Sequence, residues 1–157
     1  MPAQPLFDMS RLDFDTVIAD RQAIDEVNPQ RFDFKQLDGI VLMDHESGEM
    51  AGFRDVKDDE FWVRGHIPGR PLFPGVLMIE AAAQLVSYYA TTDNPGSGFM
   101  GFGGVTEVKF RGVVKPGDRL MLIGKVVEMR RRRCIGDVQG YVDGQLVFEG
   151  RITGMWI

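Results

Sequence analysis

The chain has 157 residues, 44% hydrophobic and 26% charged, with a net charge of −5, a profile that suits a globular domain with a sizeable core. The acidic balance argues against general nucleic-acid binding, and no apolar run is long enough for a membrane-spanning helix. Cys134 is the only cysteine and His45 and His66 the only histidines, so an internal disulfide is excluded, a zinc cluster is not expected, and a reducing cytosol fits.

Residues 1–157 are expected to form one domain whose first 15 residues are irregular and loosely held. They carry no basic start followed by an apolar core, so no secretory leader is expected and a cytoplasmic location is. A short helix is predicted over 20–27, stopped by Asn28-Pro29. Strands over 39–45 and 50–56 flank Glu46-Ser47-Gly48-Glu49 and read as a hairpin. The one long helix is predicted over 74–91. Proline suits its first turn, and Val76, Leu77, Met78, Ile79 and the alanines 81–83 leave it apolar nearly all round, the mark of a buried helix. Its polar side chains, Glu80, Gln84 and Ser87, form one narrow stripe.

After a loop at 93–98 the chain turns to strands, over 99–110, 119–129, 134–142 and 145–156, with turn signals at Pro116-Gly117-Asp118 and Asp143-Gly144. In the last strand Leu146, Phe148, Ile152 and Trp156 share one predicted face. A curved antiparallel sheet wrapped round one apolar helix, an α+β architecture, satisfies this order. Nothing suggests a parallel α/β sheet, and no phosphate-binding loop, dinucleotide fingerprint or Gly-x-Ser-x-Gly elbow occurs. No cofactor is expected.

The chemistry-bearing stretch is 65–84, GHIPGRPLFPGVLMIEAAAQ. His66 sits in a stiff Gly/Pro loop, fourteen positions before Glu80 on the helix. An imidazole taken alone reads most simply as a surface side chain. A carboxylate on so apolar a helix lies either on its wet stripe or is buried for a reason, in which case it would hold its proton near neutral pH. The pair has the makings of a general base and a general acid. Pro74-Gly75 opens the helix, where unpaired amides accept developing negative charge and glycine permits close approach. That combination suits proton abstraction beside a thioester carbonyl.

Nine of the eleven charged residues over 109–133 are basic: Lys109, Arg111, Lys115, Arg119, Lys125, Arg130, Arg131, Arg132 and Arg133. Such a patch on an acidic protein either steers an acidic partner or is a solvated strand end that discourages edge pairing. His45 is expected to be exposed in its hairpin, and Cys134 to be structural.

Gly65-His66-Ile67-Pro68-Gly69, then Pro74-Gly75-Val76-Leu77, then Glu80-Ala81-Ala82-Ala83-Gln84 resembles the active-site segment of the FabZ-type 3-hydroxyacyl-acyl carrier protein dehydratases. Lys109-Phe110-Arg111 and Pro116-Gly117-Asp118 resemble that family's later strand and turn. The resemblance implies a hot-dog fold, in homodimers or trimers of dimers whose active sites combine two subunits. It implies His66 as base at C2 and Glu80 of the neighbouring subunit as acid to the C3 hydroxyl. Gly75, with Val76 beside it, would hold the thioester carbonyl, and Gln84 would support Glu80. The basic patch would meet acyl carrier protein. Ile67 replaces the family's phenylalanine, and Gln30-Arg31-Phe32-Asp33-Phe34 only loosely echoes its His-Arg-Tyr-Pro-Phe segment. Two other readings remain, an acyl-thioester hydrolase and a non-catalytic acyl-binding partner; retention of both His66 and Glu80 favours the dehydratase over each.

Overall fold

The computed structural model describes residues 3–157. Its strands are β1 (Gly39–Asp44), β2 (Glu49–Asp55), β3 (Met100–Phe110), β4 (Arg119–Arg130), β5 (Arg133–Val142) and β6 (Gln145–Trp156). Two helices, α1 (Arg21–Asp25) and α2 (Gly75–Asp93), and two short 3₁₀ turns, Met9–Arg11 and Phe32–Phe34, complete it. The strands form one sheet in the order β1-β2-β4-β5-β6-β3, every pair antiparallel. This is the expected curved sheet around one helix.

Alternation along the strands decides what faces inward. Met50 and Leu122 point to the concave face, Ala51 and Ile123 to the convex one. The concave face closes on α2, which lies against β2, β3, β4, β5 and β6. Ala81, Ala82 and Ala90 are wholly buried there, and their small side chains let the sheet come close. A Cβ on Gly136 would stand 3.1 Å from Val86, and one on Gly52 2.6 Å from the Gly39 carbonyl. Register shifts in the β1–β2, β3–β6, β4–β5 and β5–β6 pairs supply the curvature, since an extra residue in one strand bends it and tightens its twist.

Three expectations are corrected. Residues 1 and 2 of the first fifteen lie outside the described residues, and the rest are irregular but not loosely held: Leu6, Phe7, Met9, Leu12 and Phe14 pack over Ala51, Ile123 and Tyr141 and cover the convex face. Their spacing is neither helical nor alternating, so periodicity did not disclose them. Leu146 does not share the face of Phe148. It joins the convex cluster while Val147 and Phe148 enter the main core, because the register shifts opposite it, between Gly140 and Tyr141. Finally, α2 is not buried all round or along its whole length: its fully buried residues lie between Met78 and Ala90. Val76 is 70% exposed because the first turn is not covered by the sheet.

Candidate active site

The loop bearing His66 hangs from two buried aromatic anchors. Trp62 and Phe73 are each 3% exposed and meet edge to face at 5.4 Å. The Trp62 carbonyl accepts from the Gly65 and His66 amides, and the Phe73 amide donates to the Val114 carbonyl. His66 lies exposed between the anchors, its Nδ1 2.8 Å from the Leu72 carbonyl oxygen. A carbonyl can only accept, so Nδ1 carries the hydrogen of the neutral ring and Nε2 presents its lone pair outward.

Beneath the loop runs a buried polar chain. Arg54, 5% exposed, pairs with Glu60 and lies 3.6 Å from Asp38. Its Nε donates to Gln36 at 3.0 Å, and its guanidinium stacks over Phe73. Glu60 also accepts from the Lys57 amide and the Trp62 indole. Burial acts to raise the Glu60 carboxyl, but the hydrogen bonds from Arg54 and Lys57 and the Arg54 charge outweigh it and hold the group below the ordinary value.

Glu80 is half-buried on α2. Gln84, one turn later, is 2% exposed, so of the two alternatives the polar stripe is closer to the buried one. The 28–36 segment covers it. Gln84 Nε2 donates to Glu80 Oε1 at 3.0 Å and to the Phe34 carbonyl at 2.6 Å. Its Oε1 accepts from the Gln36 amide, and its own carbonyl accepts from Asn28. Gln84 therefore has one orientation, and Glu80 Oε1 is fixed by it. Sequence reasoning missed Asn28, Gln36, Arg54 and Glu60, which no local motif marks out.

At the start of α2, Leu77 and Met78 donate to the Pro74 carbonyl, leaving the Gly75 and Val76 amides ahead of the first intrahelical bonds. A Cβ on Gly75 would stand 2.8 Å from the Phe110 ring. Glu80, Gln84, Gln30, Ser87 and Met100 line a cleft of about 180 Å³ between α2 and the starts of β3 and of the 28–36 segment. His66 is not among its lining residues. Within one chain the structure brings Glu80 and Gln84 together and leaves His66 on a separate loop.

The basic residues do not form one patch. Lys109, Arg111, Lys115 and Arg119 lie toward the end of the sheet that faces the His66 loop, whereas Arg130–Arg133 form the hairpin tip at the far end of β4, about 35 Å from Arg119 at ~3.3 Å per residue. Arg111 pairs with Glu149, Arg119 with Asp55, and Arg130 and Arg133 with Glu128. Among the described residues Lys109, Lys115, Arg131 and Arg132 make no ion pair. His45 is exposed as expected. It contacts Asp93 at 3.2 Å and stacks on Tyr89, fastening the β1–β2 turn to the end of α2. Cys134 is buried, its thiol pushed up to about 12 by burial and the nearby Asp93 charge. The described residues hold no cluster of potential metal ligands and no helix long and apolar enough to cross a membrane.

The FabA-like domain family model matches residues 28–151. A 3-hydroxyacyl-[acyl-carrier-protein] dehydratase FabZ of Desulfotalea psychrophila is 35% identical over 127 residues, spanning 79% of this chain and 84% of that protein. One from Bacillus pumilus is 33% identical, spanning 85% and 93%. Among solved structures, the dehydratase heterocomplex ApeI:P of Xenorhabdus doucetiae superposes with a TM-score of 0.72 at 14% identity, over 85% of this chain and 90% of that one. A putative thioesterase of Ralstonia eutropha superposes with 0.62 at 16%, over 74% and 82%. The architecture is the hot-dog fold, which these two solved proteins share. The matched segment takes in the His66 loop, α2 and five of the six strands whole, and the chain belongs to the FabA-like family as a FabZ-type dehydratase.

Proposed function

We propose that this chain, acting as a single domain, dehydrates 3-hydroxyacyl groups on acyl carrier protein to trans-2-enoyl groups in fatty-acid biosynthesis, in sites built from two copies. The observation that carries the reading is the 2.8 Å approach of His66 Nδ1 to the Leu72 carbonyl oxygen: in the neutral ring it commits the hydrogen to Nδ1 and leaves the Nε2 lone pair to accept a proton. A thioester hydrolase has no need of such a base, and a mere binding partner has no need of a carboxyl group held by Gln84.

His66 Nε2 takes the C2 proton. Charge develops on the thioester oxygen, where the Gly75 and Val76 amides donate to it with the helix dipole behind them. Glu80 gives its proton to the C3 oxygen as the C3–O bond breaks. Water leaves, the C2–H electron pair becomes the new double bond, and the two side chains exchange protons with solvent to reset.

Glu80 comes from the second copy. The same chain's His66 does not line the cleft beside Glu80, and β3 is an edge strand of eleven residues. Phe102 and Phe110 on it and Phe99 just before it are about half exposed. A long apolar edge left open invites pairing, and a twofold pairing of β3 with β3 joins the copies in a closed dimer. Phosphopantetheine would enter by the His66 loop. The acidic carrier would then meet the near cluster, Lys109 and Lys115 with the exposed Arg64 and Arg70, rather than the far hairpin tip. The test is turnover of a 3-hydroxyacyl thioester, followed by enoyl absorbance. His66→Ala and Glu80→Gln should each lose about 10²–10⁴-fold in kcat with the fold intact. Activity retained in either variant would reject the assignment.

A further inference from the structure

The Glu80 cleft has a neighbour farther along α2. The cleft takes Glu80, Gln84 and Ser87 from the helix, holds about 180 Å³, and among the described residues nothing of α2 ahead of Glu80 lines it. A second cavity of about 240 Å³ follows, walled by Ser87 and Thr91 of the helix and by residues between Asp25 and Arg31. Glu80, Gln84, Ser87 and Thr91 recur at helical spacing, so one face of α2 floors both spaces. Ser87, Phe99 and Met100 border both.

Of these three, Met100 stands between the sheet and the helix. It opens β3 opposite Trp156, beside Gly154 of β6. A Cβ on Gly154 would lie 2.5 Å from the Met100 Sδ and 3.6 Å from its Cε. Ile152, two positions earlier, is buried in the main core on the concave face, so a side chain at 154 would rise from that same face. The Met100 thioether fills the hollow that the glycine leaves, and Met100 is half-buried against the core. Phe99 is 53% exposed, and the Ser87 side chain is short.

We infer that Met100 is a specificity-determining residue: it ends the space open to an acyl chain seated at Glu80 and so sets the longest chain that binds well. This rests on the dehydratase reading and names the chain length it serves. With C3 at Glu80, the carbons beyond it follow the cleft toward Ser87, a rise of about 10 Å along the helix. An extended chain advances roughly 1.3 Å per carbon, given C–C bonds of about 1.5 Å, and so meets Met100 at about its eleventh carbon. Shorter chains stay within the cleft; longer ones must lift the thioether from its seat on Gly154. Truncating Met100 joins the two cavities into one channel that runs on to Thr91.

The test compares the Kd of octanoyl and tetradecanoyl pantetheine, saturated thioesters that are not consumed, the longer kept below its micellar concentration. Unmodified protein should bind octanoyl at least tenfold more tightly, although added methylenes by themselves favour burial. Met100→Ala should bring the two lengths within threefold or reverse their order, with Met100→Val in its place if alanine lowers the thermal midpoint sharply. Met100→Leu, of similar volume, should keep the original ratio. Thr91→Phe fills the second cavity: alone it should leave the ratio where it was, and added to Met100→Ala it should restore at least fivefold discrimination. A methionine needed only for packing would weaken both lengths alike, and a ratio unmoved by truncation overturns the proposal. Equal binding of the two lengths by unmodified protein overturns it too. Turnover of 3-hydroxyoctanoyl pantetheine, followed alongside by enoyl absorbance, reports separately on the dehydratase reading, since the length ratio needs no turnover.

Discussion

His66 and Glu80 have different neighbours, and those neighbours suit each to the role proposed for it. The histidine is exposed with one nitrogen committed to a backbone carbonyl; the carboxyl group is half-buried with one oxygen committed to an amide. Each therefore offers a single atom to a substrate. Gly75 acts through what it lacks. A methyl group there would press on the Phe110 ring, an exposed side chain that can swing aside. Gly75→Ala is therefore expected to keep its thermal midpoint within a few degrees while turnover falls at least tenfold, because the new methyl crowds the carbonyl's approach to the amide. Midpoint and kcat measured on one preparation decide it; a loss of both together would make the glycine structural. These residues were legible in the sequence, because loop glycines, a helix-opening Pro-Gly and a lone carboxylate stand within twenty positions. Gln36 and Arg54 were not, since their partners lie 18 to 48 positions away.

At the scale of elements, the site joins a loop, a helix and a turn through one polar chain. Arg54 links Glu60, under the His66 loop, to Gln36, whose amide holds Gln84 and so Glu80. The turn that delivers the Phe34 carbonyl to Gln84 is itself strained: Phe32 is 90% exposed with φ of 56°, a backbone conformation that bulky side chains adopt only under constraint. The chain has a definite pH signature. The Glu60 carboxyl is depressed in the folded state, so its stabilisation is fully present above the ordinary glutamate value of about 4.3 and is lost as pH falls through the lower folded value. Glu60→Gln should cost about 1–3 kcal/mol at pH 7, and that difference should shrink below pH 4. Urea unfolding of both proteins across pH 3–7 tests this; a constant difference would show that Glu60 acts by shape alone. The strands, the hairpin and α2 were foreseen nearly to the residue because alternation, turn dipeptides and an unbroken apolar run mark them. The 28–36 segment was not, because its bonds run from backbone and amide groups to a helix fifty positions away.

The whole molecule leaves one long edge of its sheet open. Its helix is wrapped, its convex face is covered by the N-terminal segment, and its β1 edge is short. Among the described residues only β3 presents a long open edge with aromatic side chains beside it. The cleft at Glu80 lies along that same edge, bordered by Phe99, Met100 and Phe102, which is why the proposed pairing puts the second copy beside the carboxyl group. The sequence alone suggested one basic surface. The fold separates it into two clusters, because a strand of twelve residues lies between them. The central claim, a dehydratase site shared between two chains, is tested most directly by mixing. His66→Ala and Glu80→Gln chains are each expected to be inactive, yet coexpressed they should form mixed dimers carrying one intact site. Random pairing predicts recovery of about a quarter of the unmodified activity. Recovery at that level would establish the shared site; activity that stays at the level of the single variants would contradict it.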